Sequence, residues 1–431
     1  MSRFVPFSLP DHLALGCATA ATQIEGGDAN NSWYAWAQTS GNIRDGASPE
    51  RANQHWQLYE EDLALMSDMG IRHYRFGIEW SRIEPSEGVF DAAAMDHYRK
   101  EIKCMLSHGI HPLVTLHHFS NPIWFENKGA FENKSCVPIF RRYVAYVVGH
   151  IQDLCTDFVT INEPNIYAVN GYIFGLWPPG KKTFFKYLRV MRNLTLCHIH
   201  AYKDIHAMYG AAPVNVGFAN HLRVFVPYGK SPIDALGARL MAYLFQDAIT
   251  KSMSTGRLAV LLGIGSPLGK GRYYDYIGIN YYSRSSVRNF TLKNCPDCPT
   301  NDLGWDIFPE GLSILCKDYY KKYRAPIWIT ENGTCDKDDL FRSAYIYDHL
   351  KQIEDKKLPV ERYYHWTFID NFEWAEGESA PFGLVSCDFE TQKRTVRASG
   401  HFYTELIRRR EVTPDMIDRY LNKAPSHGFC Q

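Results

Sequence analysis

The chain has 431 residues, 45% of them hydrophobic and 14% aromatic, enough to bury a large core. Lys plus Arg and Asp plus Glu both total 47, and that zero net charge argues against a nucleic acid or a membrane surface as partner. No run approaches the roughly 18 apolar residues of a membrane span, and residues 1–7 lack a secretory apolar core, so a cytoplasmic protein is expected.

Taken in chain order, short apolar and β-branched runs predict strands over residues 13–21, 73–83, 111–119, 157–164, 213–220, 274–283, 325–333 and 360–371. Amphipathic stretches, such as residues 53–69, 92–109 and 137–155, predict helices between them. No linker, repeat or low-complexity segment interrupts this alternation. It predicts a single-domain (β/α)₈ barrel over residues 1–431. In that fold the C-terminal strand ends carry the chemistry, so their polar residues should converge on one pocket. Gln23 follows the first strand, Arg75 lies in the second and His118 ends the third. Asn162 and Glu163 end the fourth, Asn220 the fifth, Asn280 and Tyr282 the sixth, Glu331 the seventh and Trp366 the eighth.

Two of these strands stop at a glutamate. Val159-Thr160-Ile161-Asn162 runs into Glu163-Pro164, and Ile327-Trp328-Ile329-Thr330 into Glu331-Asn332-Gly333. A carboxylate at the end of a buried strand is costly to desolvate, so two such sites point to a use. Two facing carboxyls are the minimal apparatus for cleaving a glycosidic bond, one protonated and one ionised. Glu331 is read as the ionised nucleophile, held charged by Arg75 and oriented by the Tyr282 hydroxyl. Glu163 is read as the acid/base, kept protonated by burial and the neighbouring negative charge until Glu331 is consumed. Retaining chemistry would set the two carboxyls roughly 5–5.5 Å apart. Trp near polar strand ends also suits sugar rings, whose C–H faces pack on indole.

These residues carry a resemblance to the family 1 glycoside hydrolases, retaining β-glycosidases built on a (β/α)₈ barrel. Asn162-Glu163-Pro164 is similar to the family's acid/base motif and Thr330-Glu331-Asn332-Gly333 to its nucleophile motif. The likeness runs nearly end to end. It begins at Ala18-Thr19-Ala20-Ala21-Thr22-Gln23-Ile24-Glu25-Gly26 and passes through Tyr74-Arg75-Phe76 and Leu116-His117-His118-Phe119. It continues through Gly278-Ile279-Asn280-Tyr281-Tyr282 to Trp366 and Asn371-Phe372-Glu373-Trp374. By that resemblance Gln23, His118, Asn162, Glu373 and Trp374 grip the hydroxyls of the non-reducing sugar. Trp366 lies under its ring, and Phe382 joins the substrate-binding set. Asn280 is counted with Arg75 and Tyr282 in the catalytic group.

The implied activity is a metal-free, cofactor-free, exo-acting β-glucosidase whose substrate is a β-glucoside or oligosaccharide. A carboxylate at Glu373 would repel a 6-phosphate, which favours unphosphorylated sugars. β-Galactosidase, β-fucosidase and transglycosidase readings use the same two glutamates and stay open. A non-catalytic sugar-binding relative would be expected to have lost one of them. Oligomeric state also stays open.

Several positions depart from the family pattern. Glu79 replaces a small residue; a third pocket acid is one reading, and pairing with Arg82 or another basic neighbour is the expected one. Pro381, Ser32-Trp33-Tyr34 and Asn165 depart on the leaving-group side, so the aglycone is undefined. The adjacent His117 and His118 should face opposite ways, and His198 and His200 do not share a helix face, so no histidine metal site is expected. The 11 cysteines, an odd number, are expected to be reduced thiols, and Cys295-Pro-Asp-Cys298 has no second ligand pair for zinc.

Overall fold

The structure is a computed structural model that describes residues 3–296 and 298–422. Eight parallel strands form a closed barrel. They are β1 (Ala14–Ala18), β2 (His73–Gly77), β3 (His111–Thr115), β4 (Asp157–Asn162), β5 (Asn215–Pro227), β6 (Ile277–Arg288), β7 (Ile327–Asn332) and β8 (Val360–Trp366). Each strand pairs with its sequence neighbours, and β8 closes the ring on β1 with Arg362 opposite Ala14 and Trp366 opposite Ala18.

Helices cover the outside. The main ones are α1 (His55–Asp68), α2 (Ala92–Ser107), α3 (Cys136–Ile151) and α4 (Phe184–Tyr209). Then come α5 (Pro232–Ala242), α6 (Ala248–Thr255), α7 (Glu310–Tyr323), α8 (Arg342–Asp355) and α9 (Ala398–Arg409). Local chemistry sets some of their ends. Asp91 caps α2 by accepting from the Ala93 and Ala94 amides, and Ser231 caps α5 ahead of Pro232. No helix among the described residues is long and apolar enough to cross a membrane.

The strands are shorter than predicted at the start of the chain and longer in the middle. Residues 21–24 and 80–83 form single helical turns after β1 and β2. β5 runs seven residues beyond the predicted end at Asn220, carried upward by its pairing with β6 through Pro227 opposite Val287. Both β4 and β7 are buried at every position, which explains why their sequences are apolar runs without alternation.

At the C-terminal end the barrel interior changes character. Arg75, Thr115, Asn162, Asn280 and Thr330 are at most 1% exposed there, so the top of the core is a polar network and not an apolar layer. That network carries the site.

Candidate active site

Both glutamates leave their strands at irregularities. The β4–β5 register shifts between Val159 and Asn162, and the β6–β7 register shifts so that Asn280 faces Glu331. Such shifts re-aim the side chain that ends a strand. Glu163 itself is left-handed, with φ 39° and ψ 58°, and precedes Pro164 at the first position of a short helix. A non-glycine residue held there is strained, and the surrounding bonds must hold it. After Glu331, a side chain at Gly333 is excluded, since its Cβ would sit 1.8 Å from the Trp366 carbonyl oxygen.

Glu331 is bound at both oxygens. Arg75 Nη1 donates to Oε1 at 2.6 Å and the Tyr282 hydroxyl to Oε2 at 2.5 Å. Arg75 is fixed in turn by bonds to the Thr330 carbonyl at 3.1 Å, Asn162 Oδ1 at 2.7 Å and Thr115 Oγ1 at 3.0 Å. Burial pushes the Glu331 carboxyl up to about 7. The Arg75 charge opposes that rise, the Glu163 charge adds to it and the Tyr282 hydrogen bond opposes it. Arg75 and Tyr282 are therefore what keep Glu331 ionised within reach of neutral pH.

Glu163 takes its bonds on one oxygen. Asn280 Nδ2 donates to Oε1 at 2.9 Å and His221 Nδ1 at 3.1 Å. Oε2 has no partner among the described residues, and Glu163 lines the cavity. Asn280 also donates to Asn162 Oδ1 at 3.0 Å and accepts from Thr330 Oγ1 at 2.6 Å, tying the two glutamates into one network.

The cavity, about 410 Å³, is of small-ligand size. Of the residues expected from sequence, His118, Glu163, Tyr282 and Glu331 line it, as do Trp366, Glu373, Trp374 and Phe382. Gln23, Arg75, Asn162 and Asn280 stand behind that wall. Gln23 Nε2 donates to the Phe372 carbonyl at 2.9 Å and to Glu373 Oε2 at 3.2 Å, while its buried Oε1 has no partner. His118 Nε2 accepts from Asn162 Nδ2 at 2.8 Å, which leaves the proton on an unpartnered Nδ1. Burial, with Arg75 and His117 nearby, holds His118 well below its usual range, so the ring is neutral. Burial pushes Glu373 up to about 8, with the Glu331 charge adding to it. His118 Nδ1 on the cavity wall is thus an open donor and Gln23 Oε1 behind it an open acceptor, groups that a hydroxyl can match.

Sequence reasoning missed two neighbours of Glu163. Asn220, expected in the polar ring, instead donates to Thr250 Oγ1 at 2.6 Å on the outer side of the strand. The next residue, His221, faces inward. Arg223 Nε donates to His221 Nε2 at 2.9 Å, so Nδ1 carries the proton given to Glu163. Burial lowers His221 from its usual range and keeps it neutral, with Glu163 opposing and Arg223 adding. The signal was present in the period of two along β5, but the strand's predicted end at residue 220 hid it.

Other expectations are corrected. Glu79 does not pair with Arg82, which binds Glu25 Oε2 at 2.7 Å. Glu79 accepts from Thr22 and from Ser81 Oγ at 2.8 Å, and burial together with the Asp28 charge raises it. Trp33 is fully buried against Trp177 and Trp374, and Trp36 reaches the cavity instead. Asn165 is buried and donates to the His221 carbonyl at 2.7 Å, so it does not face an aglycone. Nine described cysteines are free thiols, but Cys298 is disulfide-bonded, which departs from the expected all-reduced state. His117 bonds Asn121 Oδ1 at 2.9 Å and His198 bonds Thr160 Oγ1 at 2.7 Å, both as packed imidazoles.

Tyr282→Phe removes one of the two bonds that favour the Glu331 carboxylate. If Glu331 serves as the ionised nucleophile expected from sequence, activity rises as pH rises through the Glu331 value. The variant is expected to move the acidic limb of the kcat/KM profile to higher pH, by roughly one unit. A limb unchanged or moved to lower pH would show that Tyr282 does not support the charge.

The family profile described as "Glycosyl hydrolase family 1" matches residues 6–258 and 270–412. Beta-glucosidase A of Acetivibrio thermocellus is 31% identical, over 93% of this chain and 98% of that protein. Beta-glucosidase A of Thermotoga maritima is 29% identical, over 93% of this chain and 97% of that one. The solved beta-glycosidase from Pyrococcus horikoshii aligns with a TM-score of 0.86 at 32% identity, covering 98% of this chain and 99% of that one.

Proposed function

The chain belongs to glycosyl hydrolase family 1 and is a glycoside hydrolase, and from this we propose that it is a retaining exo-β-glucosidase acting on unphosphorylated O-glycosides. The observation that carries the reading is the unequal support of the two glutamates. Glu331 is gripped at both oxygens by Arg75 and Tyr282, whereas Glu163 is held at one oxygen and open at the other. The first arrangement fits a nucleophile and the second an acid/base.

In the first step Glu331 forms a bond to the anomeric carbon as the glycosidic C–O bond breaks, and Glu163 gives its proton to the departing oxygen. The glycosyl ester neutralises Glu331. Glu163, now a carboxylate, takes a proton from water, whose oxygen attacks the anomeric carbon and releases Glu331. Bonds to the 2-hydroxyl from the Asn162 side would tighten as charge develops on the ring. Arg75, Asn280 and His221 act on the carboxyls and not on the sugar.

Glucose is favoured by the donor and acceptor set of His118, Gln23 and Glu373. Axial and equatorial O4 differ little for such a set, so lesser activity on β-galactosides and β-fucosides is expected, within a few kcal/mol of selectivity. A 6-phosphate would meet Glu373, while Arg223 on the cavity wall is turned to His221 on the Glu163 side and Arg75 is held by Glu331. A panel of nitrophenyl β-glycosides tests this. The β-glucoside is expected to give the highest kcat/KM and its 6-phospho form at least about 100-fold less. A 6-phosphoglucoside as best substrate would refute the assignment.

A further inference from the structure

The zero net charge of the chain hides a strong asymmetry. Residues 174–293 contain 16 Lys or Arg against 4 Asp or Glu, so this segment carries +12 and the rest of the chain −12. The four acids are all engaged. Asp204 pairs with Arg141, Asp247 with Lys322 and Asp275 with His206, while Asp234 is buried and accepts from the Asn289 amide. Lys181 and Lys186 share Glu132, but exposed Lys182, Arg189, Arg192, Lys230 and Arg239 have no ion pair among the described residues.

The same segment holds 14 of the 20 large hydrophobic side chains that are exposed among the described residues. Their spacing is ordered. On α5 and the turn after it, Ile233, Leu236, Leu240 and Tyr243 fall on one exposed helix face, at 54%, 59%, 43% and 37% exposure. Phe184 and Phe185 open α4, and Val260, Leu261 and Ile264 form an exposed loop with Ile264 at 95%. These three groups adjoin. The Tyr187 hydroxyl of α4 donates to the Leu244 carbonyl just past α5 at 2.8 Å, and the Arg192 side chain packs over Gly263. Leu176, also exposed, lines the cavity, so the surface reaches the mouth of the active site.

We propose that this face, formed by α5, the start of α4 and the 260–264 loop, docks on the surface of an anionic phospholipid bilayer. Apolar side chains at 37–95% exposure, in a segment whose exposed cations lack ion pairs among the described residues, fit the boundary between acyl chains and negative headgroups. A second copy of the chain fits less well, because a self-complementary contact would bring the same unpaired cations together. The docking does not depend on the catalytic reading.

Flotation of the full chain with phosphatidylcholine vesicles, with and without phosphatidylglycerol, tests the proposal. Binding is expected to the anionic vesicles, with the partition coefficient falling about tenfold on neutral vesicles or in high salt. Phe185→Ser with Ile264→Ser should lower it about tenfold again, while hydrolysis of a soluble nitrophenyl glucoside stays unchanged and reports an intact fold. Lys182→Glu with Arg189→Glu should do the same through charge. Absence of flotation on anionic vesicles would overturn the proposal, as would equal flotation of wild type and both variants. A dimer in light scattering that Phe185→Ser dissociates would also overturn it, making the face a self-interface.

Discussion

Glu331→Gln is expected to lower kcat on aryl β-glucosides by roughly 10⁴-fold or more, with little change in the folded structure. The amide has the shape of the carboxyl and can still accept from Arg75, so the polar network that seats Asn162, Asn280 and Thr330 should persist. It cannot form the glycosyl ester. Because the nucleophile is needed whatever the leaving group, the loss should be as large for a dinitrophenyl glucoside as for an alkyl glucoside. Added azide should restore activity for Glu331→Ala by attacking from the vacated side, giving the α-glycosyl azide. Full activity in Glu331→Gln would exclude the assigned role.

Glu163→Gln is expected to behave differently, and the contrast separates the two roles. Acid catalysis contributes roughly 10²–10⁴-fold, and a leaving group that departs unaided does not need it. The variant should therefore lose roughly 10³-fold on alkyl or phenyl glucosides and far less in the first step with a dinitrophenyl glucoside. The alkaline limb of the pH–rate profile should vanish, since the titrating acid is gone. An unchanged profile would remove Glu163 from the acid/base role. His221 and Arg223 bear on this result, because the His221 N–H binds Oε1 of Glu163.

The barrel and the glutamate pair were readable in the sequence because each rests on local rules. A buried parallel strand must be an apolar run, and a carboxylate at its end is conspicuous. Arg75 and Tyr282 followed from the same strand-end reasoning, and both were found on Glu331. What failed was what depends on register and on distance. Asn220 and His221 differ by one residue, and one residue is a change of face, so a strand ended seven residues early misassigned the side chain beside Glu163. Glu79 lies three residues from Arg82, but Arg82 is claimed by Glu25, a partner 57 positions away that no local pattern shows. Neutral total charge argues against a membrane surface only on average, since residues 174–293 alone carry a net charge of +12. Composition averages over a surface that a partner meets one side at a time.

The most direct test of the account is where a trapped sugar becomes attached. A 2-deoxy-2-fluoro-β-glucosyl fluoride carries a leaving group that needs little protonation, and its fluorine slows breakdown of the ester, so the glycosyl-enzyme should accumulate. Intact mass should rise by one fluoroglucosyl unit, and peptide mapping should place it on Glu331 within Ile327-Trp328-Ile329-Thr330-Glu331. A label on Glu163, or no covalent label while the fluoride is hydrolysed, would contradict the account.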